Sequence, residues 1–128
     1  MLISLYISRN SRRRRVKSSL YKLSLSPKAD VKRSALGVLY VFAEGDGSMS
    51  LMTKECFKVL LTCLGDKDEK SRRRAARILY RMSLCSGSKA LIGTVKYLRF
   101  IGRVLIDSRD SVLKEELLQF LLSLVSAQ

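Results

Sequence analysis

Displacing the chain along itself by 40 positions lays residues 31–52 over residues 71–92, and the two stretches match. Arg33 meets Arg73, Ala35 meets Ala75, Leu39 and Tyr40 meet Leu79 and Tyr80, Gly47 and Ser48 meet Gly87 and Ser88, and Leu51 meets Leu91. Those are seven identities in 22 positions, where ordinary residue usage gives about one or two. Val38 and Ile78, Phe42 and Met82, and Met52 and Ile92 agree in type. A second step of 40 carries Ile78, Tyr80, Met82 and Leu84 onto Leu118, Phe120, Leu122 and Leu124. Between these segments, Phe57, Leu60, Leu61 and Leu64 fall over Tyr97, Phe100, Ile101 and Val104, and Leu20 lies 40 before Leu60. The chain reads as about three copies of one unit, the first incomplete. A unit of this length cannot bury its apolar face alone, so neighbouring copies have to stack.

Each copy has helical periodicity. Val31, Ala35, Val38 and Phe42 recur every three or four residues, as do Ala75, Leu79 and Met82, then Leu113, Leu117, Phe120 and Leu124. Cys56, Val59, Leu60 and Cys63 follow the same rule, as do Leu91, Val95, Leu98 and Ile101. No segment alternates as a strand would. The spacing predicts helices over about 12–25, 28–43, 50–64, 69–84, 89–106 and 111–126. Ser26 and Pro27 form an N-cap and first helical position. Turns are expected at 45–48, 65–68, 85–88 and 107–110. Tyr40, Tyr80 and Phe120 are expected to recur in register as one ladder of core aromatics.

Composition narrows the chemistry. The 128 residues carry 25 Lys or Arg against 11 Asp or Glu, a net charge of +14, and no histidine. The commonest general base and metal ligand is therefore missing. Cys56, Cys63 and Cys85 form no CxxC pair, so no zinc site can be assembled, and they are expected as small hydrophobes in a reducing compartment. Glu115 and Glu116 are adjacent and splay about a helix, and 45–48 lacks the Lys-Ser/Thr of a phosphate-binding loop. No catalytic residue, cofactor site or metal site is expected, and the chain is read as non-enzymatic. The apolar start, residues 1–7, is too short to span a membrane and precedes its positive charges, the reverse of a secretory signal. A cytoplasmic or nuclear location is expected.

The phrase Ala75-Ala76-Arg77-Ile78-Leu79-Tyr80-Arg81-Met82-Ser83 resembles the last helix of an armadillo repeat, and residues 57–66 resemble the helix before it. The resemblance covers residues 17–126 and implies an all-α, right-handed α-solenoid of about three armadillo/HEAT-like repeats. Residues 1–16 then form a basic N-terminal segment, the remnant of a preceding repeat. The expectation follows of a fragment of a larger array, or of self-association through an uncapped end. Many armadillo proteins clamp an extended peptide with asparagines and tryptophans. Here those positions hold Val41, Arg81 and Leu121, and Gly37, Arg77 and Leu117. Such a clamp is not implied. Similar short arrays choose the substrate in U-box ubiquitin ligases; no U-box is present here, so the resemblance implies, as a further alternative, the substrate-binding armadillo part of such a ligase without its U-box and without ligase activity.

The strongest local feature is the basic run at 70–81. Arg74, Arg77 and Arg81 share one helical stripe that Arg73 widens. The armadillo registration directs Arg77 and Arg81 into a concave groove, with Lys32 and Arg33 of the previous unit beside them. Guanidinium pairs bidentately with carboxylate and phosphate, so Arg73, Arg74, Arg77, Arg81, Lys32 and Arg33 suit an acidic or phosphorylated protein segment. A nucleic-acid backbone is the alternative partner. A third reading is a solvated face balanced by Asp66, Asp68 and Glu69. Arg12, Arg13, Arg14, Arg15 and Lys17 have the composition of a nuclear localisation signal and equally suit a helical surface patch.

Overall fold

The computed structural model describes residues 14–44, 51, 53–85, 87–88, 90 and 95–126. Among them the regular structure is entirely helical, with no strand. The helices are α1 (14–24), α2 (Ala29–Ala43), α3 (Lys54–Leu64), α4 (Glu69–Ser83), α5 (Val95–Asp107) and α6 (Ser111–Ser126). The turn expected at 65–68 lies where the sequence places it, and the one expected at 107–110 is confined to 108–110, because Asp107 is the last residue of α5. The turn at 45–48 and the start of the helix expected from 89 fall outside the described residues or partly so.

The forty-residue period is visible in the helix bounds. Residues 29–43 and 69–83 are α2 and α4, and residues 14–24 and 54–64 are α1 and α3. Burial repeats with them. Ala35, Leu36, Leu39 and Ala43 are buried on α2, and Ala75, Ala76, Leu79 and Ser83 are buried forty residues later on α4. Leu20, Tyr21 and Ser24 on α1 correspond in the same way to Leu60, Leu61 and Leu64 on α3.

Helix ends follow local chemistry. Thr53 caps α3 by accepting from Cys56 N at 3.1 Å, and Asp68 caps α4 by accepting from Ser71 N at 3.0 Å. Asp110 accepts from Val112 N at 3.1 Å at the start of α6. The expected Ser26–Pro27 cap is displaced. The N-cap of α2 is Lys28, without a side-chain bond, while Ser26 Oγ accepts from Lys28 N in the turn before it.

The helices form two rows. In one, α4 lies between α2 and α6. The fully buried Ala75 and Ala76 keep α4 slender enough for its neighbours to approach, and Leu39, Ile78, Leu79, Met82, Leu117 and Phe120 fill the space between. In the other row, Cys63 Sγ donates to the Ser24 carbonyl of α1 at 3.3 Å, and Phe57 meets Tyr97 of α5 edge-on with centroids 5.0 Å apart. Contacts of α3 with α4 and of α5 with α6 join the rows. Buried Ser24 and Ser88 are satisfied locally, their hydroxyls donating to Leu20 O at 2.7 Å and Ser83 O at 3.1 Å, and the half-buried Ser123 of α6 donates to the same Ser83 carbonyl across the α4–α6 contact.

The third unit departs from the expected register. Leu113, Leu117, Phe120 and Leu124 are the buried residues of α6, and they correspond to the buried Ser71, Ala75, Ile78 and Met82 at a displacement of 42, not 40. The cause lies in α5. It runs three residues past the equivalent of Leu64, and the linker after it, 108–110, is one residue shorter than 65–68. Phe120 therefore does not continue a ladder with Tyr40 and Tyr80. Phe120 is fully buried, whereas the two tyrosines sit at the edge of the core, half-buried.

Candidate functional site

The six basic residues singled out in the sequence come from α2 and α4, and most of them are held by other parts of the chain. Lys32 Nζ lies 2.7 Å from Asp66 Oδ1 in the loop before α4. Arg33 Nε reaches Ala29 O at 3.2 Å and the capping carboxylate of Asp68 at 3.4 Å. One unit later, Arg73 makes the equivalent reach. Its Nε and Nη2 bond the two carboxylate oxygens of Asp110 at 2.7 and 2.9 Å, and Nη2 also meets Glu69 at 2.7 Å. Arg33 and Arg73 thus each grip the residue that caps the next helix in the row.

Arg74 turns back toward α2 and donates through Nη1 to the Arg33 carbonyl. Gly37 gives it room, since a Cβ at Gly37 would come within 3.2 Å of that Nη1. Arg77 Nε donates to Glu116 Oε1 of α6 at 3.2 Å, with its side chain half-exposed. Arg81 has no carboxylate in contact among the described residues. Its guanidinium lies 5.9 Å from the ring centroid of Tyr40, a cation–π arrangement across the α2–α4 contact.

The electrostatics of the loops follow from these pairs. The hydrogen bond from Arg73 holds Asp110 below the usual carboxylate range, against a smaller opposing effect of burial. Asp68 is lowered chiefly by the Ser71 hydroxyl, with Arg33 adding to the effect. Burial acts to raise Asp66, but the Lys32 bond and the backbone N–H groups together outweigh it. Of the three acids expected to balance the basic run, only Glu69 meets it, at Arg73, while Asp66 and Asp68 pair with Lys32 and Arg33 of α2; the run's other carboxylate partners are Asp110, just before α6, and Glu116 on it. Those last two partners lie 37 and 39 residues from their arginines, so no local pattern exposes them.

What remains open is a recess of about 220 Å³ across the α2–α4–α6 row, lined by Tyr40, Arg77, Tyr80, Arg81 and Glu116. It brings together two of the six predicted residues, Arg77 and Arg81. Lys32, Arg33, Arg73 and Arg74 lie outside its lining. The two tyrosines are the contribution that sequence reasoning missed. Their forty-residue spacing was visible, but it was read as core. A half-buried phenol beside a guanidinium offers a ring face and a hydroxyl to a bound segment.

In the other candidate patch, Arg14 and Arg15 are exposed on α1 and Lys17 is half-buried there, while Arg12 and Arg13 lie outside the described residues. Cys56 and Cys63 are buried and unpaired, and Cys85 is partly exposed. Among the described residues no group of three or more His, Cys, Asp or Glu could hold a metal ion, and no helix is long and apolar enough to cross a membrane. Comparison of the chain with protein-family models, with curated proteins and with solved structures finds no match.

Proposed function

We propose that the chain is an armadillo/HEAT-like helical-repeat module, a right-handed solenoid in full, and that it acts as a non-enzymatic protein-interaction scaffold. Its α2–α4–α6 face takes an acidic or phosphorylated segment of a partner, in the cytoplasm or nucleus. The observation that supports this reading is the recess at Arg81. There one guanidinium stands over Tyr40 with no contacting carboxylate among the described residues, and Arg77 is tied to Glu116 through a half-exposed pair. Both can be recruited by a stronger anion at small cost, because an exposed ion pair is worth about 0–1 kcal/mol. Lys32, Arg33, Arg73 and Arg74 serve the fold and contribute positive potential to the same face.

A nucleic-acid backbone is the second reading, favoured by the net charge of +14. Titration of the protein with an acidic peptide, its phosphorylated form and duplex and single-stranded oligonucleotides, at two salt concentrations, separates the two. Affinity for the peptide that persists with added salt supports the first reading. Oligonucleotide binding that is indifferent to sequence and collapses with salt supports the second.

A further inference from the structure

A second basic recess lies on the opposite side of α4. Arg72 precedes Arg81 by nine residues, two and a half helical turns, so it points away from the Tyr40 recess. It faces α5, where it lines a cavity of about 230 Å³ with Leu64, Phe100, Arg103, Val104 and Asp107. Unlike Arg33, Arg73 and Arg77, neither Arg72 nor Arg103 forms an ion pair among the described residues. Arg72 Nε is shielded from solvent and no described residue accepts from it.

We infer that this recess is a binding site for a phosphotyrosine side chain of a partner protein. Two guanidinium groups present forked donors that match a phosphate, and neither is committed to a carboxylate among the described residues. Beside them Leu64, Phe100 and Val104 form an apolar wall, and Phe100 is 38% exposed. A bare phosphate would leave that wall uncovered. An aryl phosphate places its ring against Phe100 and its dianion between Arg72 and Arg103. Asp107, one turn beyond Arg103, carries the opposing charge and sets the affinity below what the two arginines alone would give.

The site is tested by calorimetric titration of the full chain with N-acetyl-phosphotyrosine amide, its phosphoserine counterpart and inorganic phosphate. The phosphotyrosine compound is expected to bind about tenfold tighter than either other probe. Arg72→Gln and Arg103→Gln should each weaken it about tenfold, and Asp107→Asn should tighten it severalfold. Arg81→Glu, in the other recess, should leave it within about twofold, which separates this site from the proposed peptide face. Arg103 is exposed on α5, so Arg103→Gln keeps the test valid even if Arg72→Gln disturbs folding. Equal binding of the three probes, an unaltered affinity in Arg103→Gln, or an equal loss in Arg81→Glu would overturn the assignment.

Discussion

Arg73 gives two hydrogen bonds, 2.7 and 2.9 Å long, to Asp110, the residue that caps the next helix of its row. Arg33 stands in the same relation to Asp68, forty residues earlier on the arginine side and forty-two on the aspartate side. The fifth residue of one helix, an arginine, thus fixes the start of the next. The side chain of Asp110 is only 5% exposed, so this pair is better shielded than Arg77–Glu116. Asp110→Ala should cost about 1 kcal/mol or more through the lost cap. A double-mutant cycle on Arg73→Ala and Asp110→Ala should give a larger coupling than the same cycle on Arg77→Ala and Glu116→Ala. Equal couplings in denaturant melts would contradict the asymmetry in burial.

The row itself is tested at Leu79, fully buried where α4 meets its neighbours. Leu79→Ala should destabilise by about 2–5 kcal/mol. Leu118, 56% exposed on α6, should tolerate alanine within about 0.5 kcal/mol. Chemical denaturation of the two variants checks both. Equal and small effects would remove the packing of α2, α4 and α6 from the account.

Buried thiols give the molecule an alkaline limit. Burial raises Cys56 from an ordinary 9.0 to about 12 and Cys63 to about 11, and it pushes Tyr21 up as well. Above pH 9 the unfolded chain releases these protons while the folded chain keeps them. Stability is therefore full below that pH and declines as pH rises toward 11–12. For Cys63 the loss by pH 11 is on the order of 2 kcal/mol. Melting temperatures at pH 8 and 10.5, in reducing buffer, should fall more steeply for the natural chain than for the Cys56→Ala, Cys63→Ala variant. Parallel declines would mean that the thiols are not protected.

The helical architecture was legible because the periodicity of Ala35, Leu39 and Ala75, Leu79 depends only on neighbours three and four residues away. The third unit was misread because its register depends on where α5 stops. The spacing carries this helix to about 106, already past the equivalent of Leu64, but a constant displacement of 40 does not register the overrun, so it aligns Phe120 with Tyr80 and not with Ile78. The basic run was legible as charge but not as geometry. Asp110 and Glu116 reach Arg73 and Arg77 only after α4 and α6 pack, and Gly37 admits Arg74 only because α2 and α4 lie side by side. Packing thus divides the six basic residues of α2 and α4 into four that hold or border the fold and two that line a recess.

The most direct test is the affinity of an acidic or phosphorylated peptide for the natural chain and for the Arg77→Glu, Arg81→Glu variant, with the melting curve of each recorded in parallel. The proposed recess predicts a loss of about tenfold or more with little change in folding. Undiminished affinity in a folded variant would contradict it.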